Sequence, residues 1–120
     1  MQITSADPVL AVHDLRRSAE WYAATFGAQI DEIDPGNWTF CRCGAVTFML
    51  GRCPDVVPAT EIGDHSYVAY VRVDDVDAFH DRAVGAGAEV LAPPADRPWG
   101  QREMAVRSPD GHRFMLGQPI

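Results

Sequence analysis

Phe48-Met49-Leu50-Gly51 occurs a second time, residue for residue, as Phe114-Met115-Leu116-Gly117. The two copies stand 66 positions apart in a chain of 120 residues. Working outward, Phe26-Gly27-Ala28-Gln29-Ile30 parallels Ala86-Gly87-Ala88-Glu89-Val90 at a spacing of 60. Further upstream, Val9-Leu10-Ala11-Val12 leads to Asp14, as Val68-Ala69-Tyr70-Val71 with Val73 leads to Asp74-Asp75. The echoes keep one order, with roughly six extra residues before the last strand of the second half. Recurrence in one order at spacings near 60 is the mark of a duplicated unit.

Each half then reads alike. Residues 8–12 form an apolar run, a predicted strand. Asp14 suits an N-cap, because its carboxylate accepts from exposed N–H groups of the first turn. Leu15, Ala19, Tyr22 and Phe26 fall on one face of a helix that Gly27 stops. Ile30–Ile33, Trp38–Cys43 and Ala45–Leu50 are predicted strands, separated by turns at Asp34-Pro35-Gly36-Asn37 and Cys43-Gly44. In the second half, Tyr67–Val73 is a strand and Asp75 caps a helix with apolar Val76, Phe79, Ala83 and Ala86. Glu89–Leu91 is a short strand, and Ala92–Gly100 reads as a Pro-rich loop. Arg102–Arg107 and His112–Leu116 flank the turn Ser108-Pro109-Asp110-Gly111. The reading is one α+β domain over 1–120. It has a βαβββ module at 7–52, a linker at 53–65 and a second module at 66–119. Curved mixed sheets would bury the helices on one side and leave a concave pocket face on the other.

Seventeen Asp and Glu against ten Lys and Arg give a formal net charge of −7. That excludes a phosphate-tracking nucleic-acid binder, which needs a basic face. It suits a cationic or neutral small ligand. No apolar stretch approaches the ~18 residues of a membrane span. Met1–Pro8 carries neither a basic nor an apolar signal segment, so a cytoplasmic protein is expected. Cys41, Cys43 and Cys53 are then reduced thiols, too few and wrongly spaced for a zinc site.

Asp-Leu at a helix start and Pro-Asp-Gly before the final strand resemble the vicinal oxygen chelate superfamily, in its glyoxalase/bleomycin-resistance branch. Trp99-Gly100-Gln101-Arg102-Glu103 and Ser108-Pro109-Asp110-Gly111-His112 resemble the Trp-Gly-x-Arg-Glu and Asp-Pro-Asp-Gly-Asn segments of bleomycin-resistance-like proteins. The likeness runs from Pro8 to Gln118. Metal enzymes of this superfamily place a His at the start of a module's first strand and a carboxylate within its last. Counting from Asp14 and from Asp74-Asp75 puts these places on Asp7, Met49, Val68 and Met115. One carboxylate, a valine and two thioethers do not make a divalent site, so no metal or other cofactor is expected. His65, three residues from the second module's ligand place, could form a degenerate site with Asp7 and Glu103.

Without a metal, aromatic and soft apolar groups remain. Trp38, Phe40, Phe48 and Met49 come from the first module, and Tyr70, Trp99, Met104 and Met115 from the second. Alternation sets Trp38, Phe40 and Arg42 on one strand face and Thr39, Cys41 and Cys43 on the other, without saying which is concave. Phe40 and Phe48 serve equally well as core. Trp99 sits in a loop beside Gly100, where binding residues often lie, and the resemblance implies that it stacks on a flat ligand. Arg102 and Glu103 either orient polar ligand groups or form a surface ion pair. His13, His80 and His112 read as surface histidines. The resemblance implies a metal-independent binding protein that sequesters an aromatic antibiotic, cationic or neutral, as a homodimer with pockets at the interface. The main alternative is a glyoxalase-like metal-dependent lyase, epimerase or dioxygenase. A third is a metal-free lyase or isomerase using Glu103 or Tyr70 as acid–base.

Overall fold

The computed structural model describes residues 1–63 and 66–120. Its elements run β1 (Val9–Val12), α1 (Leu15–Phe26), β2 (Gln29–Asp34), β3 (Trp38–Cys43) and β4 (Val46–Arg52). The second half repeats the order with β5 (Tyr67–Arg72), α2 (Val76–Gly85), β6 (Glu89–Asp96), β7 (Gln101–Arg107) and β8 (Arg113–Pro119). A 3-10 turn, Ala59–Glu61, lies between them. Each half makes one four-stranded sheet, in the orders β1-β4-β3-β2 and β5-β8-β7-β6. The first strand of each half pairs parallel to the last, and the other pairs are antiparallel. The fold is thus α+β, with two mixed sheets. Among the described residues no helix is long and apolar enough to cross a membrane.

Both helices begin as their sequences direct. The Asp14 carboxylate accepts from the Arg17 N–H at 3.0 Å, and that of Asp75 from the Ala78 N–H at 3.0 Å. Each satisfies a first-turn donor that has no partner within the helix. Helix α2 stops at Gly85, so Ala86, assigned to its apolar face from sequence, lies exposed beyond the end.

The repeated tetrapeptide supplies the core. Phe48, Leu50, Phe114 and Leu116 are fully buried, because alternation turns them toward the helices. Phe48 and Phe114 meet edge-to-face with ring centroids 5.5 Å apart. Tyr22 packs 4.9 Å from Phe48 and 6.0 Å from Phe114. Phe26 touches both rings and reaches Phe79 of α2 at 5.1 Å. One aromatic cluster therefore joins the two halves.

Three expectations are corrected here. Phe48 belongs to this core and presents nothing to a ligand. Met104 is 2 % exposed and packs in the same core. The Pro-rich segment is mostly strand, since β6 runs to Asp96 with register shifts around Ala92–Ala95. Strand β6 is an edge, where a proline lacking its N–H costs no ladder bond and bulges absorb the misfit. Only Arg97–Gly100 remains a loop, closed by the Arg97 N–H on the Gln101 carbonyl at 2.8 Å.

Phe114→Ala should cost about 3–5 kcal/mol, the range for deleting a fully buried ring. Urea unfolding checks this, and a loss below about 1 kcal/mol would contradict a shared core.

Candidate functional site

The same alternation that buries Phe48 and Phe114 turns Met49, Gly51, Met115 and Gly117 to the faces away from the helices. Strand register shows what surrounds them. Met49 lies opposite Val9 on β1 and Phe40 on β3, and Gly51 opposite Trp38. Met115 lies opposite Tyr70 on β5 and Ala105 on β7, and Gly117 opposite Glu103. The duplication therefore makes Val9 equivalent to Tyr70, Phe40 to Ala105, and Trp38 to Glu103.

Both glycines are required by close approach. A Cβ on Gly51 would stand 2.8 Å from the Trp38 ring, and one on Gly117 would fall inside the Tyr70 phenol. In each half an aromatic ring lies across a glycine of the last strand. It comes from β3 in the first half and from β5 in the second.

The first open face is apolar. Val9, Ile33, Trp38, Phe40 and Met49, with Asp34 at the margin, line a shallow depression of about 360 Å³. Trp38 is 39 % exposed and Val9 63 %. The second face is polar at its centre. Glu103 is only 8 % exposed. Its Oε2 accepts from the Tyr70 hydroxyl at 2.7 Å and from the Trp99 indole N–H at 3.2 Å. The Arg97 Nε stands 4.0 Å from Oε1. Trp99, at the tip of the Arg97–Gly100 loop, is 65 % exposed.

Burial, and then the hydrogen bond and charge of Glu103, push the Tyr70 phenol up to about 12, with the nearby Arg72 guanidinium opposing. A hydroxyl that resists ionisation is a donor, which is what the adjoining carboxylate needs. Cys41, fully buried, is pushed up to about 11 by that burial, away from the thiolate a nucleophile requires.

The structure brings Trp38, Phe40 and Met49 together on one open face, and Tyr70, Trp99, Glu103 and Met115 on the other. It does not bring Arg102 with them. Odd and even residues of β7 point to opposite faces, so Arg102 turns to the helix side. There it binds Asp77 of α2 at 2.9 Å and Asp96 of β6 at 3.0 Å. His112 is half-buried rather than fully exposed: its Nδ1 is buried, and burial pulls its pKa down. Sequence reading missed Val9 and Arg97, and the roles of the two glycines. The tetrapeptide repeat was a signal for the glycines, since both copies end in one.

The places at which the sequence resemblance would put metal ligands carry Asp7, Met49, Val68 and Met115. The Asp7 carboxylate accepts the Thr47 N–H at 2.9 Å. Among the described residues no three His, Cys, Asp or Glu side chains cluster as a metal site. His65 lies outside the described residues. This donor set does not fit a divalent ion.

Alkaline spectrophotometric titration tests the Tyr70–Glu103 contact. The phenolate signal removed by Tyr70→Phe should develop near pH 12 rather than at the ordinary 10.0. In Glu103→Gln it should move down toward that ordinary value. A Tyr70 that ionises normally in the unaltered protein would show that the bond is not formed.

Comparison with known proteins agrees with this fold. The family model of the Glyoxalase/Bleomycin resistance protein/Dioxygenase superfamily matches residues 4–116. An uncharacterized protein of Mycobacterium bovis is 41 % identical over 127 aligned positions, covering 94 % of this chain and 82 % of that protein. A bleomycin resistance determinant encoded on the transposon Tn5 superposes with a TM-score of 0.78 at 22 % identity, covering 98 % of each chain. A lactoylglutathione lyase from Agrobacterium tumefaciens gives 0.72 at 19 % identity, covering 97 % and 94 %. At such identities these structures share the fold alone. The chain belongs to the Glyoxalase/Bleomycin resistance protein/Dioxygenase superfamily.

Proposed function

We propose that the protein binds an aromatic small molecule without a metal and without covalent chemistry, in the manner of a bleomycin-resistance protein, and acts by sequestering an antibiotic. The observation that carries this reading is the pair of open faces built on Met49 and Met115. Where a metalloenzyme needs carboxylate or imidazole, thioethers stand beside aromatic rings. Methionine and aromatic side chains adapt to flat ligands and hold them by burial and stacking. Trp38, Phe40 and Met49 offer one wall, and Tyr70, Trp99, Glu103 and Met115 the other.

The reading includes a homodimer in which the open faces of two copies close the pockets. Val9, Ile33, Trp38 and Trp99 are 63, 50, 39 and 65 % exposed, an apolar display of the kind that marks an interaction surface. It also places the protein in the cytoplasm, where Cys41, Cys43 and Cys53, all free thiols, stay reduced.

Tryptophan fluorescence titration with a bleomycin-class antibiotic should show saturable binding. Trp38→Ala and Trp99→Ala should each weaken it by about 1 kcal/mol or more, or at least roughly fivefold, since stacked rings contribute that much beyond area burial. Both variants binding as wild type would remove the assignment of these faces. Calorimetry of chelator-treated protein with Ni²⁺, Zn²⁺, Mn²⁺ and Fe²⁺ should show no stoichiometric binding. One tightly held ion per chain would favour a glyoxalase-like metal-dependent enzyme instead. Sedimentation velocity should give a dimer, and a monomer at all concentrations would exclude interface pockets.

A further inference from the structure

We infer that Glu103 selects ligands that carry a positive charge beside their aromatic ring. This rests on the binding reading above and names the ligand chemistry of its second wall.

The argument starts from an unequal duplication. At the place of Glu103 the first module carries Trp38, and at the place of Tyr70 it carries Val9. The scaffold therefore accepts apolar side chains at both positions. Burying a carboxylate where an indole fits is costly unless its oxygens are satisfied. The second module meets only part of that cost. Oε2 receives two donors, from Tyr70 and Trp99. Among the described residues Oε1 receives no hydrogen bond, and its nearest cation, the Arg97 Nε, stands at 4.0 Å, beyond hydrogen-bond reach. A carboxylate can accept about four hydrogen bonds, so acceptor capacity remains on Oε1, the oxygen of this mostly buried side chain that is still open to solvent.

The surroundings define what can use it. Met115 and Ala105 face the same side of the sheet. The Trp99 ring, tethered through its N–H to the same carboxylate, presents an aromatic surface beside it. A protonated amine or amidinium attached to a flat ring would donate to Oε1 in a charge-assisted bond and lie against the indole. The net charge of −7 draws such ligands in. An anionic ligand would meet the carboxylate at close range, and a neutral ring would leave Oε1 unanswered.

The test compares two probes of one shape. Proflavine is a diaminoacridine, cationic in mildly alkaline buffer. Acridine, its parent, is uncharged there. The full-length protein should bind proflavine at least tenfold more tightly than acridine. Glu103→Gln, which keeps size and removes charge, should bring the two to within about twofold of each other. Glu103→Asp, which keeps charge on a shorter arm, should retain a preference of several fold, and it stands in if the glutamine variant fails to fold. Equal binding of both probes by the unaltered protein would overturn the inference while leaving the binding reading intact. A preference that survives in Glu103→Gln, including an equal loss for both probes, would also overturn it and leave Glu103 as a support for the Trp99 loop. Binding of neither probe, nor of a bleomycin-class antibiotic, would remove the binding reading itself.

Discussion

The edge-to-face contact of Phe48 with Phe114, 5.5 Å between centroids, is the interaction on which the rest of the structure depends. Each ring comes from one copy of the repeated tetrapeptide. Tyr22 and Phe26 of α1 pack on both, Trp21 stacks on Phe114, and Phe79 of α2 packs on Phe26. Neither four-stranded sheet buries its apolar side alone. Joined through these rings, the two share one core of close-packed aromatic and aliphatic groups. Because side chains alternate along a strand, burying Phe48, Leu50, Phe114 and Leu116 forces Met49, Gly51, Met115 and Gly117 outward. The core thus dictates where the open faces are and what lies at their centres.

Those centres have diverged on a common frame. Both keep a methionine and, two residues on, a glycine under an aromatic ring. The first face surrounds them with Val9, Phe40 and Trp38, and remains apolar. The second surrounds them with Tyr70, Ala105 and Glu103, and becomes a phenol–carboxylate pair with Trp99 above it. Two modules with one backbone and different side chains present different chemistry on their two open faces. That is a plain use of duplication: the fold is kept while the exposed half of each strand is free to change.

The corrected expectations share one origin. Phe48, Arg102 and Met104 each sit beside a residue of the opposite fate: Met49, Glu103 and Ala105. A sequence assigns neighbours to opposite faces but does not say which face meets the helices. Arg102 illustrates the consequence, because the even-numbered side of β7 faces α2 and Asp77 is waiting there. Trp38, Phe40, Met49, Tyr70, Trp99, Glu103 and Met115 were legible as candidates from their residue types and motif positions. Their division into two sets was not, since register between strands far apart in the chain decides it. The extension of β6 through Pro93 and Pro94 was hidden for a related reason. Proline argues against a strand only where its N–H is needed, and an edge does not need it.

By itself the sequence determined the repeated order of elements, both helices with their aspartate caps, the strands apart from the second half of β6, and the family likeness. These follow from local spacing and from the chemistry of single side chains. Only the tertiary structure decided that the two Phe-Met-Leu-Gly copies meet in one core, that Glu103 replaces Trp38 on an equivalent frame, and that one carboxylate binds both Tyr70 and Trp99. Those facts are relations between residues as much as 66 positions apart. They are set by strand register and packing, which no local pattern encodes.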